Sequence, residues 1–201
     1  MVKLLDSTQP AEGTTLDALN KLSELKRDLS SEWALDLGCG AGRDTFEILK
    51  KMKVVAVDQQ KEGLELIKNH MEKAHHILGE RLRLVEESFE QMAESASFWE
   101  PEKYLFINAS FSLPFCSPKN FERLWQNIKK SLRSQGIFAG QFFALNHGWA
   151  SQKQKSFFSK KNILEKLKGF QVTIKEEEKD SEAASGEMVH WHIFHVVAQK
   201  D

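Results

Sequence analysis

Three glycines at alternate positions follow an apolar run and precede a helix-forming segment, and this loop constrains the fold more than any other part of the sequence. The loop is Gly38–Gly42, with Ala34–Leu37 before it and Arg43–Asp44 after it. Glycine is needed where the backbone takes a positive φ or where a ligand lies against the main chain, because a Cβ would collide in either case. The N–H groups that open the following helix then face the ligand. The sequence therefore predicts a strand, a ligand-binding turn and a helix in succession.

Two carboxylates flank this loop and indicate which ligand it holds. Dinucleotide-binding loops read G-x-G-x-x-G, the extra residue making room for a pyrophosphate, whereas this loop reads G-x-G-x-G with Asp36 two residues before its first glycine. A carboxylate there would repel a pyrophosphate and would suit an ammonium group. The next apolar run, Val54–Val57, ends in Asp58, and a carboxylate at that position can accept hydrogen bonds from both hydroxyls of a ribose. The pair favours a nucleoside that lacks phosphates and carries an amino-acid end.

Short β-branched or aromatic runs alternate with helix-period segments along the chain. We predict helices near residues 15–28, 44–52, 61–74, 118–133 and 159–168. The segment 118–133 carries an apolar stripe at helical spacing, and Gly136 is expected to stop this helix. The stripe consists of Phe121, Leu124, Trp125, Ile128 and Leu132. The predicted strands are Trp33–Leu37, Val54–Val57, Leu82–Glu86, Tyr104–Asn108, Ile137–Phe143, Phe170–Glu176 and Val189–Ala198. Strand, helix and strand in sequence give a parallel sheet covered on both faces, and the charged segment 177–188 is expected to be the long loop of a hairpin. The expected fold is an α/β, Rossmann-like three-layer sandwich, with a mostly parallel seven-stranded sheet and an antiparallel C-terminal hairpin.

Composition and charge exclude several classes of function. The 201 residues carry 28 Lys and Arg against 29 Asp and Glu, a net charge of −1, which removes whole-molecule attraction to nucleic acid or to an acidic membrane. The longest stretch without a charged side chain, 134–152, is interrupted by polar residues and is no membrane span. Cys39 and Cys116 form neither a disulfide framework nor a metal pattern. We expect one domain over residues 1–201, a cytoplasmic location and no nucleic-acid or membrane partner; the oligomeric state stays open.

The ordered set of strand, glycine spacing, leading acid and second-strand acid resembles the class I S-adenosylmethionine-dependent methyltransferases. The segments Asn108–Cys116, Gly136–Phe143 and His190–His195 are similar to a bacterial small-molecule subgroup that is allied to tellurite-resistance and thiopurine methyltransferases. The resemblance implies an enzyme that takes S-adenosyl-L-methionine as cofactor and passes its methyl group to a small-molecule acceptor by in-line displacement. It also implies that the N-terminal helical segment, residues 1–30, covers the acceptor site as a lid.

By the same resemblance, the glycine loop and the strand ends hold the cofactor. The loop would line the methionine portion, Asp36 would contact the ammonium group and Asp58 would hold the ribose. Adenine would lie beside Gln59 and the residues after the third strand, where many members of the family have an Asp. The end of the fourth strand would face the sulfonium and the reacting methyl group. The expected cofactor-binding residues are Asp36, Gly38, Cys39, Gly40, Gly42, Asp58, Gln59, Ser88, Phe89, Asn108 and Ala109.

The acceptor decides whether a general base is needed. A thiolate, selenide or tellurite-like acceptor already offers a lone pair, and we favour this chemistry slightly over O or N; a phenol, amine or hydroxyl would gain roughly two to four orders of magnitude in rate from a base. His147, in the loop after the fifth predicted strand, is the candidate base, and the alternative is a solvated loop histidine. Phe111, Phe115 and Trp149 are the candidate acceptor pocket, and the alternative is that they only pack.

Three hypotheses remain open at this point: a small-molecule methyltransferase, a methyltransferase acting on RNA or protein, and a non-catalytic protein that binds S-adenosylmethionine. The segment Asn108–Phe111 lacks the two prolines of the Asn-Pro-Pro-Phe motif of amino-directed methyltransferases, which disfavours nucleic-acid amines. His190 and His192 share one face of a strand and His195 faces the other way, so we predict no metal site there.

Overall fold

The computed structural model describes residues 11–26, 28–73, 80–94, 98–183 and 185–201. Its helices are α1 (Gly13–Ser23), α2 (Arg43–Leu49), α3 (Lys61–Lys73), α4 (Phe89–Glu94), α5 (Pro118–Ser131) and α6 (Lys160–Lys166), with a short 3-10 turn at Leu113–Phe115. Its strands are β1 (Trp33–Leu37), β2 (Lys53–Asp58), β3 (Leu82–Glu86), β4 (Tyr104–Ala109), β5 (Leu132–Ala144), β6 (Phe157–Phe158), β7 (Phe170–Glu182) and β8 (Met188–Lys200).

The strands form one sheet in the order β3-β2-β1-β4-β5-β8-β7, and the two-residue β6 pairs with β5. Neighbours from β3 to β5 run parallel, whereas β8 runs antiparallel to both β5 and β7. The predicted fold class is confirmed: the sheet is mostly parallel and ends in an antiparallel hairpin. The parallel arrangement brings the carboxyl ends of β1, β2 and β4 to one edge.

Helices cover the two faces of the sheet, because its central strands are apolar on both sides. β4 is buried at every position and β1 at all but its first, as expected of parallel strands between two helical layers. Alternate side chains face opposite layers: Leu35 and Ile107 join the core cluster that includes residues of α5, while Ala34 and Val54 join the cluster that includes residues of α1 and α3. The result is the expected three-layer sandwich.

Helix α5 carries the predicted apolar stripe but does not end as predicted. The stripe residues Trp125 and Ile128 are buried, and the Trp125 ring stands edge-on to Phe138 with 5.1 Å between the ring centroids. The helix ends at Ser131, and the next residue already has extended dihedral angles and opens β5. Gly136 therefore lies inside β5, and the prediction that it stops the helix is wrong.

The C-terminal hairpin is longer than the sequence indicated. β7 continues to Glu182 and β8 begins at Met188, and between them the N–H of Ala183 donates to the carbonyl of Glu187 at 2.7 Å. The charges that indicated a loop over 177–188 instead pair across the strands: His190 bonds the carboxylates of Asp180 and Glu178 at 2.8 and 3.0 Å. Opposite charges on facing strands stabilise a ladder. The prediction of a long loop over 177–188 is therefore wrong, because much of this charged segment belongs to β7.

The remaining differences are small. Helix α4 and strand β6 were not predicted. Helix α1 is shorter than the predicted 15–28 and begins two residues earlier. Across the described residues, no helix is both long and apolar enough to cross a membrane.

The aromatic group between α5 and β5 is a test of this core. Phe138 is fully buried, so Phe138→Ala should lower the free energy of unfolding by about 3–5 kcal/mol through lost burial and a cavity. Leu145→Ala is the control, since Leu145 is 59% exposed and should change stability by less than about 0.5 kcal/mol. Urea denaturation measures both; similar losses would contradict the packing described.

Candidate functional site

The glycine loop joins β1 to α2 at the carboxyl edge of the sheet. Gly38, Gly40 and Gly42 all have positive φ, at 69°, 54° and 89°. The N–H groups of Gly38 and Cys39 donate to the carbonyl of Val57 at 2.8 and 3.0 Å, which fixes the loop to the end of β2. A Cβ added to Gly40 would meet no atom within 4 Å. Gly40 is therefore required by its backbone angle, and the space beside it is open to a ligand.

A glycine of α3 closes the other side of the loop, and sequence reasoning missed it. A Cβ on Gly63 would lie 2.6 Å from the carbonyl oxygen of Gly40, so only glycine lets α3 approach this closely. The sequence signal was present, because Gly63 interrupts an otherwise helix-favouring segment near its start.

Asp58, at the end of β2, has both carboxylate oxygens oriented by backbone N–H groups. Its Oδ2 accepts from Gly40 and its Oδ1 from Gln60, each at 2.8 Å. A carboxylate oxygen accepts more than one hydrogen bond, so Asp58 retains capacity for a diol. Gln59 is exposed beside it. The structure thus brings Asp58 and the glycine loop together.

Asp36 lies beneath the loop and is 2% exposed. Its Oδ1 accepts from Asn108 Nδ2 at 2.9 Å and its Oδ2 from Thr45 Oγ1 at 2.5 Å. Burial, reinforced by the nearby Asp44 carboxylate, raises the pKa of Asp36 to about 7. Asn108 and Ala109, which end β4, are fully buried. The structure joins Asp36 to Asn108 directly, and contact of Asp36 with an ammonium group stays a prediction.

The start of α1 is bonded to the ends of β4 and β5. Thr15 Oγ1 donates to Asn108 Oδ1 at 3.0 Å and lies 3.1 Å from Ser110 Oγ. Gln141 Nε2 donates to Thr14 Oγ1 at 2.9 Å, and Gln141 Oε1 accepts from the N–H of Phe111 at 2.7 Å.

Sequence reasoning missed these contacts, although a glutamine inside the apolar run of β5 was a signal that a polar partner faces it. The predicted lid lies partly outside the described residues, which begin at 11. Its described helix, α1, sits against the sheet edge at the end of β4.

The residue before α1 is also bonded to α2. The N–H of Glu12 donates to Asp44 Oδ1 at 2.7 Å, and Arg43 lies 3.0 Å from the other oxygen of Asp44 and 3.8 Å from Glu12. Arg43 Nε is nevertheless buried with no hydrogen-bond partner among the described residues. A buried unpaired donor is costly, so this atom is a candidate contact for an acceptor group of a ligand.

The turn after β3 completes the edge. The N–H of Glu87 donates to the carbonyl of Asp58 at 3.1 Å, while its Oε2 is buried and lacks a partner in the described part of the chain. Ser88 exchanges hydrogen bonds with Gln91, its N–H donating to Gln91 Oε1 at 2.7 Å, and Phe89 opens α4 and packs on the core. The turn is therefore bonded to Asp58 through Glu87, whose side chain has one unsatisfied acceptor.

His147 lies in the loop after β5 but is 1% exposed, so the alternative of a solvated histidine is wrong. Its Nδ1 accepts from the N–H of Trp149 at 3.1 Å, which places the proton of the neutral ring on Nε2. That Nε2 is buried without a partner among the described residues. Burial lowers the pKa of His147 to about 4. At neutral pH the ring therefore offers a hydrogen-bond donor, and its geometry argues against the general-base role expected from the sequence.

The three predicted acceptor-pocket residues separate into two places. Phe115 and Trp149 lie together, with ring centroids 6.3 Å apart, and Lys155 Nζ stands 5.3 and 4.7 Å from the two centroids. Phe111 instead faces the imidazole of His195 on β8, at 6.0 Å and nearly edge-on. Phe111 also has a positive φ of 48°, held by the Gln141 hydrogen bond described above. Within the described ranges, no three His, Cys, Asp or Glu side chains are placed to hold a metal ion.

Comparison with known proteins agrees with this geometry. A family model described as a methyltransferase domain matches residues 34–136, half of the chain, from β1 through the glycine loop to β5. The chain belongs to this methyltransferase domain family. The resemblance to class I S-adenosylmethionine-dependent methyltransferases is thereby confirmed.

Relatives and solved structures of this methyltransferase domain are distant. It is 27% identical over 110 residues to the probable S-adenosylmethionine-dependent methyltransferase CRG1 of Saccharomyces cerevisiae, covering 54% of this chain and 35% of the yeast protein. TehB from Haemophilus influenzae has a TM-score of 0.74 at 16% identity, covering 95% of this chain and 63% of that one. A Burkholderia thailandensis 1,6-didemethyltoxoflavin-N1-methyltransferase, solved with 1,6-didemethyltoxoflavin and S-adenosylhomocysteine, has a TM-score of 0.62 at 19% identity, covering 94% and 79%. The chain thus spans about a third of the yeast relative, and the structural likenesses show the fold.

S-adenosylmethionine is the cofactor of this methyltransferase domain, and the edge of the sheet fits it. The open space beside Gly40 leaves room against the main chain. The unpaired Arg43 Nε suits a carboxylate, the Asp58 oxygens suit ribose hydroxyls, and the unpaired Glu87 Oε2 suits an amino group. The charged side chains and the buried unpaired atoms therefore suit both the amino-acid end and the nucleoside end of this cofactor.

The close approach of α3 to the loop predicts a loss of cofactor affinity in Gly63→Ala. The added methyl group would push on the Gly40 carbonyl at 2.6 Å, and such overpacking costs about 1–3 kcal/mol. We expect S-adenosylmethionine to bind about 5- to 150-fold more weakly in calorimetric titration. Gly13→Ala is the matched control, since a Cβ there meets nothing within 4 Å; unchanged affinity in Gly63→Ala would contradict the described contact.

The buried carboxylate of Asp36 predicts a pH-dependent stability. Its pKa is about 7 in the folded protein and near its ordinary value of 3.8 in the unfolded chain. Between these values the folded state binds the additional proton, so the contribution of Asp36 to stability is present below about pH 4 and is lost as pH rises to about 7. Asp36→Asn keeps both hydrogen-bond partners and removes the titration. Urea denaturation from pH 4 to 8 gives the free energy of unfolding of both proteins. The wild-type value minus the variant value should fall as the pH rises, and a difference that does not change with pH would rule out the raised pKa.

Proposed function

We propose that this chain transfers the methyl group of S-adenosylmethionine to a small-molecule acceptor. The observation that carries the proposal is the attachment of α1 at the cofactor edge: Thr14 and Thr15 are bonded to Gln141 and Asn108, above the end of β4. A bound S-adenosylmethionine supplies a methyl group activated by a sulfonium sulfur. The acceptor must reach that methyl group past a helix that side-chain hydrogen bonds hold in place, which favours a small molecule over an RNA or a folded protein.

Residues of the chain supply alignment and charge complementarity. Asp58 and the glycine loop would hold the nucleoside, with the Asp58 carboxylate fixed by the Gly40 N–H. Arg43 would face the carboxylate of the amino-acid end and Asp36 would balance its ammonium group from below the loop. Transfer of a methyl group from sulfur is an in-line displacement, so holding both reactants in line accounts for much of the rate.

The loops beyond β4 and β5 would form the acceptor side. Phe111 stands at the end of β4, and Phe115, Trp149 and Lys155 form an aromatic group with a cation over its rings. His147 packs against this group as a neutral ring whose Nδ1 accepts from the Trp149 N–H. An apolar surface of this kind excludes water from the reacting groups.

A labelled-cofactor experiment tests the proposal. S-adenosylmethionine is first titrated calorimetrically, and the chain is then incubated with methyl-labelled cofactor and with thiols, metalloid oxyanions, phenols, amines, RNA or a protein mixture. We expect binding with transfer to at least one class of small molecule. Binding without any transfer would favour a non-catalytic cofactor-binding protein, and transfer to RNA or protein alone would overturn the small-molecule proposal.

Asp58→Asn is the variant that ties any transfer to this site. Both carboxylate oxygens accept from backbone N–H groups, so the amide nitrogen of the variant must face a donor. Hydrogen bonds to charged groups contribute about 1.5–3 kcal/mol, and we expect cofactor affinity to fall by about 10- to 100-fold. Asp180→Asn is the control, because its carboxylate is exposed on β7; equal effects of the two changes would contradict the assignment.

A further inference from the structure

The register of the sheet places one histidine beside the transfer site. β4 ends at Ala109, whose partner on β5 is Gly140, and the next residue of β5, Gln141, pairs with His195 on β8. His195 is thus one residue beyond the end of β4 and two strands away from it. At a spacing of about 4.8 Å between strands, this offset is about 10 Å. Strand β5 lies between these two positions, so an acceptor would reach His195 from the face of the sheet on which Gln141 bonds α1.

One ring contact and the sheet pairing place the His195 side chain near the end of β4. Gln141, its partner across the ladder, holds the N–H of Phe111 and the hydroxyl of Thr14. The Phe111 ring stands nearly perpendicular to the His195 ring at 6.0 Å. The His195 side chain is 12% exposed. His195 is therefore a partly buried imidazole that adjoins both Phe111 and the group that fixes α1.

A carboxylate on β7 sets the protonation of the ring. His195 Nε2 lies 2.8 Å from Glu177 Oε2. An ionised carboxylate only accepts hydrogen bonds, so the neutral ring carries its proton on Nε2 and presents a lone pair at Nδ1. A carboxylate in this position also stabilises the imidazolium that forms when Nδ1 takes up a proton.

The other histidines near this end of the sheet do not offer such an atom. His190 has both ring nitrogens bonded to carboxylates, and His192 has both bonded, to Asn146 and Glu176. His147 has its lone pair occupied by the Trp149 N–H. Among these four histidines in the described part of the chain, His195 alone has a ring nitrogen that is neither bonded nor among the buried unpaired atoms.

We propose that His195 is the general base of the transfer reaction for acceptors whose nucleophilic oxygen carries a proton, and that Glu177 positions it. This inference rests on the proposed function and names its acceptor class: a hydroxyl on an aromatic ring, which would lie beside the paired rings of Phe111 and His195. The acceptor oxygen forms a bond to the methyl carbon while the bond from that carbon to sulfur breaks, and the electron pair of the broken bond stays on sulfur. The hydroxyl proton passes to His195 Nδ1 and then to solvent.

Other charged groups face the pair and belong in any account of its pH dependence. Lys175 is opposite His195 in the β7–β8 ladder, and Lys179 lies 2.5 Å from the second oxygen of Glu177. Helix α1, which packs against β5 and β8, contributes Asp17 and Lys21. With His195 as the base, Glu177→Gln should also lower kcat/KM for a phenol, because the amide no longer stabilises the imidazolium.

The test compares His195→Gln with the wild type on a series of substituted phenols and on a thiol that is ionised at the assay pH. We expect the variant to lose about 10²- to 10⁴-fold in kcat/KM on the least acidic phenols, progressively less as the phenol becomes more acidic, and less than about threefold on the thiolate. In the variant, kcat/KM for each phenol should follow the ionised fraction of that phenol as the pH is changed. His190→Gln, on the same strand, is the control and should leave all rates within about twofold.

Folding and cofactor binding are checked separately by urea denaturation and by titration of S-adenosylmethionine, which His195→Gln should leave unchanged. A second readout needs no turnover: the ultraviolet spectrum of a phenol bound with S-adenosylhomocysteine should show phenolate at lower pH in the wild type than in the variant. Equal losses on phenols and thiolates, or a phenol spectrum unaffected by the variant, would overturn the role of His195 alone. Failure of the wild type to methylate any phenol would overturn the inference, and failure with every small molecule would also overturn the proposed function.

Discussion

A chain of buried hydrogen bonds from Asp36 holds together the edge of the sheet where function is expected. Asp36 on β1 accepts from Asn108 on β4 and from Thr45 on α2, and Asn108 accepts from Thr15 on α1. Four parts of the fold therefore converge on one carboxylate that is almost inaccessible to water. Buried polar groups are costly when unpaired and fix a unique arrangement when each has a partner. The shape of the site follows from satisfying this one group.

The glycine loop leaves an open space in which a ligand can lie against the main chain. Its backbone is fixed to β2 through Val57 and Asp58, while α3 approaches so closely that Gly63 admits no side chain. Two of the three buried atoms that lack a partner among the described residues adjoin this loop: Arg43 follows it in the chain, and Glu87 belongs to the turn bonded to Asp58. A compact fold rarely leaves buried donors and acceptors without partners, so their presence together is consistent with a ligand that carries groups of both kinds.

Local patterns predicted the layers and the loop because both are encoded by neighbouring residues. The alternation of apolar runs with helical stripes predicted β1, β2 and α5, and the spacing of Gly38, Gly40 and Gly42 predicted the turn. Contacts between distant segments were not predictable in this way. The sequence around Gln141 gives no sign that its hydrogen-bond partner is Thr14. The sequence alone also does not show that His147 is buried or that His195 keeps a free lone pair. The charged ladder of β7 and β8 was also missed, since its charges are paired across strands and not along one.

The hydrogen bonds that attach α1 affect both the access of an acceptor and the positions of the groups around it. Thr14 and Thr15 hold the helix in place, but their partners Gln141 and Asn108 also hold Phe111 and Asp36. A substitution that loosens the helix to admit a bulkier acceptor would at the same time release the groups that order the reaction centre. Widening the range of acceptors in this chain would therefore cost rate, unless the change were made on the aromatic group of Phe115 and Trp149, which makes no bond to α1 among the described contacts.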